Sequence, residues 1–272
     1  MIDILLSTYN GEKYLSQQID SILGQTIHDW HLYIRDDGSK DNTTSIIREY
    51  IRNYPSKITW INEDEVVNLG CIKSFESLLS ISKAEYFMFA DQDDVWLPSK
   101  IETTLELLKQ AEVKEGVETP FYVHTDVKVV DANLNVINNS FLQLLRFPHS
   151  VISKNKHYAM LFNYITGCTV MGNAKARELS LPFPEFIDMH DSWIARKTIL
   201  EGGKVLTLFE ATMLYRQHGN NVLGASNKMS IKKRIVSFLN AYKQYSLLFK
   251  KNKWLVPISF VYHKIKFKIC YA

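Results

Sequence analysis

The 272-residue sequence is poor in cysteine: only Cys71, Cys168 and Cys270 occur, far apart. They make no CxxC pair and no zinc-ligand spacing, which excludes a disulfide scaffold and a structural zinc site and fits a reducing cytosol. Long apolar runs are also missing. The longest candidate, "WLVPISFVYH" from Trp254, is about half the roughly 20 residues needed to span a bilayer, and Pro257 interrupts it. The opening "MIDILLSTYN" has no basic segment and no long apolar core, so it reads as a strand and not as a signal peptide. Neither GxGxxG nor GxxxxGK[ST] occurs, which counts against dinucleotide and P-loop sites. Internal repeats and low-complexity segments are absent. So is acid at the C-terminal end: of 32 Lys and Arg, 11 lie from Lys228 onward, with no Asp or Glu. Residues 1–227 therefore hold 21 basic against 29 acidic side chains, a formal −8 beneath the overall +3. An acidic body with a basic tail signals a partner of opposite charge.

What is present is ample apolar residue, 46% of the chain, enough for one large domain or one domain with an appendage. Short apolar runs alternate with helical patterns through the first half. "IDILLS" (2–7), "WHLYIRDD" (30–37), "ITWINE" and "EYFMFAD" read as buried strands. Between them, Tyr14, Leu15, Ile19, Ile22 and Leu23 fit one helix face, "DNTTSIIREYIRNY" opens with Asp41 as a cap, and "CIKSFESLLSIS" continues the rhythm. A fourth helix, "SKIETTLELLKQAE", follows with Ser99 as its N-cap. This order predicts an α/β fold with a mostly parallel sheet and helices on both faces. After about residue 120 the rhythm breaks. "FYVHTD" and "VKVVDANLNVI" read as two strands or a strand and a bent ribbon. "ITGCTVMGNAKARELS" reads as a strand running into a helix, "HDSWIARKTILEGG" as a short helix, and "KVLTLF" and "TMLYRQHG" as separate strands.

Ligands of such sheets bind outside the carboxyl ends of the strands. Three polar clusters fall there: "STYNG", "RDDGSKDN" and "DQDD". Asp91, Asp93 and Asp94 stand within four residues at the end of a strand that should be central. A solvated turn or a helix cap is the plain reading, but one cap needs one oxygen. Crowded carboxylates repel unless a cation sits among them. Mg²⁺ or Mn²⁺ suits oxygen ligands and commonly bridges carboxylates to a substrate diphosphate. Asp37 is either turn chemistry or an acceptor for a base or ribose. Thr8, Tyr9 and Asn10 would wall the same site, with Tyr9 placed to stack on a base.

The stretches "STYNGEKYLSQQIDSILGQT", "DWHLYIRDDGSKDNT" and "FADQDDVWLPSKI" closely resemble the family 2 glycosyltransferases of the GT-A fold over the first 100 residues or so. The likeness continues more thinly through "TGCTVMGN", "HDSW" and "LYRQHGNN" to about residue 224, where it is similar to the branch that builds bacterial surface polysaccharides and includes many rhamnosyltransferases. The resemblance implies that Thr8, Tyr9 and Asp37 hold the nucleoside. It implies that Asp91 and Asp93 are the ends of the family's DxD motif, with Asp94 close enough to share the metal. It implies that Asp191 is the catalytic base. The QxxRW motif of processive members is missing and "YRQHG" stands in its region, which implies addition of one sugar per encounter. A UDP- or dTDP-linked donor and a lipid-linked saccharide acceptor are the substrates this branch implies.

Inverting transfer needs a base for the acceptor hydroxyl and a neutralised diphosphate leaving group, on opposite sides of the anomeric carbon. Asp191 and the Asp91–Asp94 group offer that separation. Asp191 also stands where an acid complements a helix dipole, and Asp188 is a rival. His190 is expected to be a structural neighbour of the base. Arg216 and His218 alternate along a strand, share a face, and could reach the diphosphate or the metal. Gly167 either admits an acceptor sugar or marks a bulge. For Trp96 and Trp193, core packing is the default. A metal-dependent nucleotidyl or phosphoryl transferase, or a silent nucleotide- or glycan-binding module, are the alternatives.

In the tail, Ile231, Ile235, Phe238, Leu239, Tyr242, Tyr245 and Phe249 fit one helix face, and Lys232, Lys233, Arg234 and Lys243 lie mostly elsewhere. The pattern suits either packing on the domain or the surface of a membrane. The acid-free segment beyond it favours the membrane, and the acidic body makes nucleic acid a poor partner. The expected division is a nucleotide-sugar half at 1–126, an acceptor and catalytic half at 127–225, and a basic membrane-associating tail at 226–272. The expected location is cytoplasmic, peripheral at the inner face of the cell membrane.

Overall fold

The computed structural model describes residues 1–65, 67–145, 148–218, 231–249 and 252–271. In the first half, strands and helices alternate: β1 (Ile2–Thr8), α1 (Leu15–Leu23), β2 (Trp30–Asp36), α2 (Thr43–Asn53), β3 (Ile58–Trp60), α3 (Cys71–Ile81) and β4 (Tyr86–Asp91). A two-residue strand β5 (Val95–Trp96) and α4 (Lys100–Glu115) follow. The second half holds β6 (Phe121–Val130), β7 (Val136–Asn138), the short helices α5 (Phe141–Leu145), α6 (His149–Lys154) and α7 (Lys156–Leu161), then β8 (Met171–Asn173) and α8 (Ala174–Ser180). Next come α9 (His190–Leu200), β9 (Lys204–Arg216), and the tail helices α10 (Ile231–Ser246) and α11 (Val256–Tyr271).

One sheet runs in the order β3-β2-β1-β4-β8-β6-β9-β5, with β7 beside β6. β1, β2, β3 and β4 are parallel, as are β6 and β9, while β8 enters antiparallel between β4 and β6. The central strands are buried on both faces, which is why they read as continuous apolar runs without alternation. Ile4 and Leu6 point into one core with Leu15 and Ile19 of α1, Ile47 of α2 and Ile101 and Leu108 of α4. Leu5, Phe87 and Phe89 point into the other, with Phe75 of α3, Tyr158 of α7, Ile194 of α9 and Tyr245 and Phe260 of the tail.

Local reading failed where pairing overrode it. β6 is a single strand crossing position 126, so the two expected halves share it. "KVLTLF" and "TMLYRQHG" are one strand, β9, because it carries on through Phe209 and Glu210 by a register shift against Thr125 and Asp126 of β6. "ITGCTVMGNAKARELS" does hold a strand running into a helix, β8 into α8, but the strand is confined to Met171–Asn173 and a 3₁₀ turn at Gly167–Thr169 precedes it. Ser99 stands at the N-cap of α4 but its side chain makes no cap bond. The N-cap of α2 is Asn42, whose side chain makes no cap bond; the expected cap, Asp41, stands one residue earlier and accepts the Thr43 N–H at 3.1 Å. The expected boundary at 225–226 and the side chains of Ile231 to Ile235 lie outside the described residues. Among the described residues no helix is long and apolar enough to cross a membrane.

Candidate active site

Parallel pairing in register sets Thr8 beside Asp36 and Ser7 beside Asp91, so the chain segments following β1, β2 and β4 emerge at one edge of the sheet. Gln92, which sequence reasoning passed over, ties two of them. Its Oε1 accepts from Thr8 Oγ1 (2.6 Å) and from the Tyr9 N–H (2.7 Å), and its Nε2 donates to Tyr9 O (3.1 Å). Gly11 allows this closure: a Cβ there would lie 2.5 Å from Gln92 Oε1 and 2.7 Å from Thr8 Oγ1. Thr8 is buried by these contacts, while Tyr9 remains half-exposed, its ring open to a ligand. Asn10 adopts a left-handed φ of 50°, and its Oδ1 accepts the Lys40 N–H (2.8 Å) while its own N–H donates to Ser39 Oγ.

Both acids of "DDGS" hold loops. Asp36 accepts from the Gly38 and Ser39 N–H groups. Asp37 Oδ1 accepts from Arg35 Nη1 (2.6 Å), the Leu69 N–H (2.6 Å) and Ser74 Oγ (3.0 Å), and its Oδ2 from the Gly70 N–H (2.9 Å). Asp37 thus fastens the start of α3 to the end of β2. Oδ2, with one protein donor, is the oxygen that retains capacity for a ligand.

Asp93 Oδ2 lies 2.7 Å from His218 Nε2. The His218 ring packs on Tyr14 (centroids 5.1 Å), and Arg216 stacks its guanidinium over the same ring at 4.4 Å. β9 ends at Arg216, so His218 stands just beyond the strand and not in alternation along it, yet both side chains meet the Tyr14 ring. Arg216 is nevertheless 1% exposed. Its Nε donates to Asp93 O, Nη1 to Ala132 O and Nη2 to Gln17 Oε1, each at 2.7 Å. That geometry makes it a clamp joining α1, the β4–β5 turn and the β6–β7 turn.

Asp94 is fully buried. Its Oδ1 accepts the Arg216 N–H (3.1 Å) and its Oδ2 has no partner among the described residues. Asp91, Asp94 and Cys168 each bring one ligand-capable atom within 4.8 Å of the others. Burial, then the neighbouring Asp93 and Asp91 charges, hold the Asp94 carboxyl well above the usual carboxylate range. Burial, then Asp93 and Asp191, push Asp91 up to about 7. Lys100 lies fully buried beneath this cluster with Nζ 3.4 Å from Thr212 Oγ1 and 5.0 Å from the Trp96 ring centre. Burial pulls it down to about 8.

Asp191 opens α9, a hundred residues from Asp91 in sequence, and burial pushes its carboxyl up to about 6. Its charge is felt at Asp91 and, with the charges of Asp91 and Asp37, at Cys71. Asp37, Asp91 and Asp191 are thus all near enough to Cys71, at the start of α3, for their charges to act on it. Asp191 Oδ1 accepts the Ser192 N–H at 2.6 Å. Oδ2 overlooks Gly167, where a Cβ would stand 3.3 Å from it and 3.2 Å from His190 Nε2. His190 is stacked on Phe75 (4.0 Å) and edge-on to Phe89 (4.9 Å), and burial pulls its imidazole down to about 3, so it is neutral. Trp193 Nε1 donates to Ser180 O inside the core, and Trp96 is buried as well.

Comparison with known proteins identifies the family and the fold. The family model for Glycosyl transferase family 2 matches residues 3–200. A relative in Shigella flexneri, named dTDP-rhamnosyl transferase RfbG, is 26% identical over 267 residues, covering 92% of this chain and 80% of its own. An uncharacterized glycosyltransferase of Nostoc sp. is 29% identical over 233 residues, covering 84% and 69%. Among solved structures, residues 1–349 of S. aureus TarS with UDP-GlcNAc superpose with a TM-score of 0.63 at 16% identity, covering 98% of this chain and 73% of that one. The mannosyltransferase PcManGT of Pyrobaculum calidifontis, with GDP-Man and Mn²⁺, gives 0.62 at 14% identity, covering 100% and 76%. The chain belongs to glycosyl transferase family 2 and has the GT-A fold of a glycosyltransferase.

Proposed function

We propose that this glycosyltransferase is metal-dependent and inverting, and that it moves a single sugar from a UDP- or dTDP-linked donor to a lipid-linked oligosaccharide in bacterial surface-polysaccharide synthesis (O-antigen or capsule). The observation that carries the reading is the approach of two carboxylate groups far apart in sequence: Asp91 and Asp94 offer ligand atoms within 4.8 Å of that of Cys168, and Asp191 Oδ2 stands 3.3 Å from the Cβ position of the adjacent Gly167. The printed name of the Shigella flexneri relative supports a dTDP-linked donor and a rhamnosyl group.

Thr8, Tyr9, Asn10 and Asp37 are assigned to the nucleoside, with Tyr9 stacking on the base and Asp37 Oδ2 accepting from it or from the ribose. Asp93 and His218 fit a divalent cation. Their 2.7 Å separation is a few tenths of an ångström below the spacing of about 3.0 Å between adjacent ligands of an octahedral ion bound at about 2.1 Å. The imidazole nitrogen favours Mn²⁺ over Mg²⁺. Such a cation neutralises the departing diphosphate. Asp91, partly exposed, faces the same diphosphate. For Asp94 the proposal departs from the sequence expectation of a ligand: it is fully buried and its Oδ1 accepts the Arg216 N–H, so it supports the motif from beneath. Arg216 likewise acts by holding Asp93 and Tyr14 in place.

Asp191 takes the proton of the acceptor hydroxyl as that oxygen bonds the anomeric carbon. The bond from that carbon to the diphosphate oxygen breaks on the opposite face, and the nucleoside diphosphate leaves with the electron pair. Burial raises the basicity of Asp191 while leaving it ionised near neutral pH, which suits a general base. Residues 1–126 serve as the donor half and 127–225 as the acceptor half. The basic tail holds the enzyme at the cytoplasmic face of the membrane, where such acceptors reside. Product analysis tests the chemistry: release of a nucleoside diphosphate with a glycosylated acceptor is expected, and release of pyrophosphate would exclude glycosyl transfer.

A further inference from the structure

Helix α11 is apolar on two opposite sides. On one, Val256, Phe260 and Phe267 are buried against the body. Phe267 packs on Phe162 (ring centroids 4.2 Å) and Tyr158 (5.2 Å). On the other, Ile258, Val261, Tyr262, Ile265 and Ile269 are each more than half exposed, and Trp254 just before the helix is 72% exposed. At 3.6 residues per turn these five helical positions share an arc of roughly 100°. Lys266 flanks one edge of the stripe, with its Nζ 5.6 Å from the Tyr262 ring centre. Lys264 and Lys268 flank the other, with Lys264 Nζ 4.8 Å from the Phe260 ring centre.

A helix that is apolar all round is normally covered all round. The body covers one side of α11, and charge identifies what covers the other. No acidic residue follows Glu210 in the sequence. A second copy docked about a two-fold axis would set lysine against lysine. An anionic bilayer matches both features: apolar side chains in the acyl boundary, lysines among the headgroups, and a tryptophan at the interface.

We propose that α11 lies in the plane of an anionic lipid surface on this stripe, and that it thereby turns the acceptor side of the cleft toward the bilayer. The second half of the proposal rests on the lipid-linked acceptor proposed above. Its structural basis is α10, which packs on α11 through Tyr242 and Tyr245 against Phe260. α10 also grips the chain leading into α9: Asn240 Nδ2 donates to Asp188 Oδ1 (3.2 Å) and Gln244 Nε2 to Phe186 O (3.2 Å). Gln244 Oε1 accepts from Arg196 of α9, the helix that Asp191 opens. The arm that meets lipid thus holds the base, while the nucleoside end of the sheet lies beyond β4 at β1 and β2.

Sedimentation of the full chain with phosphatidylcholine vesicles, with or without phosphatidylglycerol, tests this. The wild type should partition to the phosphatidylglycerol vesicles. The I258D/I265D variant should partition about tenfold more weakly, with its melting temperature and its affinity for nucleoside diphosphate unchanged. A milder K264Q/K266Q/K268Q variant should lose affinity and salt dependence together. Wild-type partitioning by I258D/I265D would overturn the proposal. So would a wild type that ignores both vesicles yet is a dimer that I258D/I265D converts to a monomer, since a second copy would then own the face. Vesicle binding is read without turnover, so its failure is separate from any failure of sugar transfer, which the release of nucleoside diphosphate reports.

Discussion

Replacing Gly167 with alanine probes the acceptor side directly. Its backbone is outside the left-handed region, so alanine is conformationally allowed. The new methyl would stand 3.2 Å from His190 Nε2 and 3.3 Å from Asp191 Oδ2, a few tenths of an ångström inside ordinary contact. His190 cannot retreat, because Phe75 stacks on it at 4.0 Å and Phe89 closes its edge at 4.9 Å. The displacement therefore falls on Asp191, whose Oδ1 is tethered to the Ser192 N–H. Overpacking of this kind costs about 1–3 kcal/mol. If that cost is felt at the reacting geometry, the transfer rate falls by about fivefold to 150-fold. The assay is steady-state release of nucleoside diphosphate with varied acceptor, alongside titration of nucleoside diphosphate in the presence of Mn²⁺. Transfer should fall while nucleotide affinity stays unchanged. A G167A enzyme with wild-type transfer would refute the role of the Asp191 carboxylate held beside Gly167, and loss of nucleotide affinity would show that the damage is not local.

Asp191→Asn keeps the Ser192 contact and removes the base, so transfer should drop by about 10²- to 10⁴-fold with nucleotide binding intact, measured by turnover and calorimetry. Because burial raises Asp191 from 3.8 to about 6, its active carboxylate form accumulates as pH rises, and kcat should climb through an apparent pKa near 6 in a pH–rate profile. The same shift makes the folded state the better proton binder, so this group's contribution to stability falls as pH rises from near 4 through about 6. His218→Ala and Asp93→Ala should each abolish the increase in nucleoside diphosphate affinity produced by Mn²⁺; a retained metal effect in either would move the cation elsewhere. Gln244→Leu should lower transfer with unchanged nucleotide affinity, by freeing Arg196 and the chain at Phe186, and an unaltered rate would detach the tail from the base.

Much of this was legible in the sequence because it depends on neighbours along the chain. The buried strands β1, β2 and β4 declared themselves as unbroken apolar runs, and the polar clusters at their ends marked the ligand edge before any pairing was known. The side chains at those ends were legible only as types. Whether Asp37 or Asp94 faces a ligand depends on which donors the fold brings to it. Tertiary structure committed Asp37 to Leu69, Gly70, Ser74 and Arg35, and sealed Asp94 beneath the backbone of Arg216. Gln92 went unnoticed because an amide beside three acids carries no signal until Thr8 is beside it.

The second half divides the same way. Short helices and bulged strands are set by long-range pairing, so β9 looked like two strands and the turn at Gly167 looked like one. By itself the sequence determined the class of fold, the inventory of carboxylates and the acid-free tail, since periodicity, composition and charge are properties of the chain. Long-range packing alone brings Asp191 near Asp91, makes Arg216 a clamp while His218 meets Asp93, and, among the described residues, leaves one apolar side of α11 exposed. Each of those is a distance between residues far apart in sequence, set by how sheet and helices pack, and no local pattern contains it.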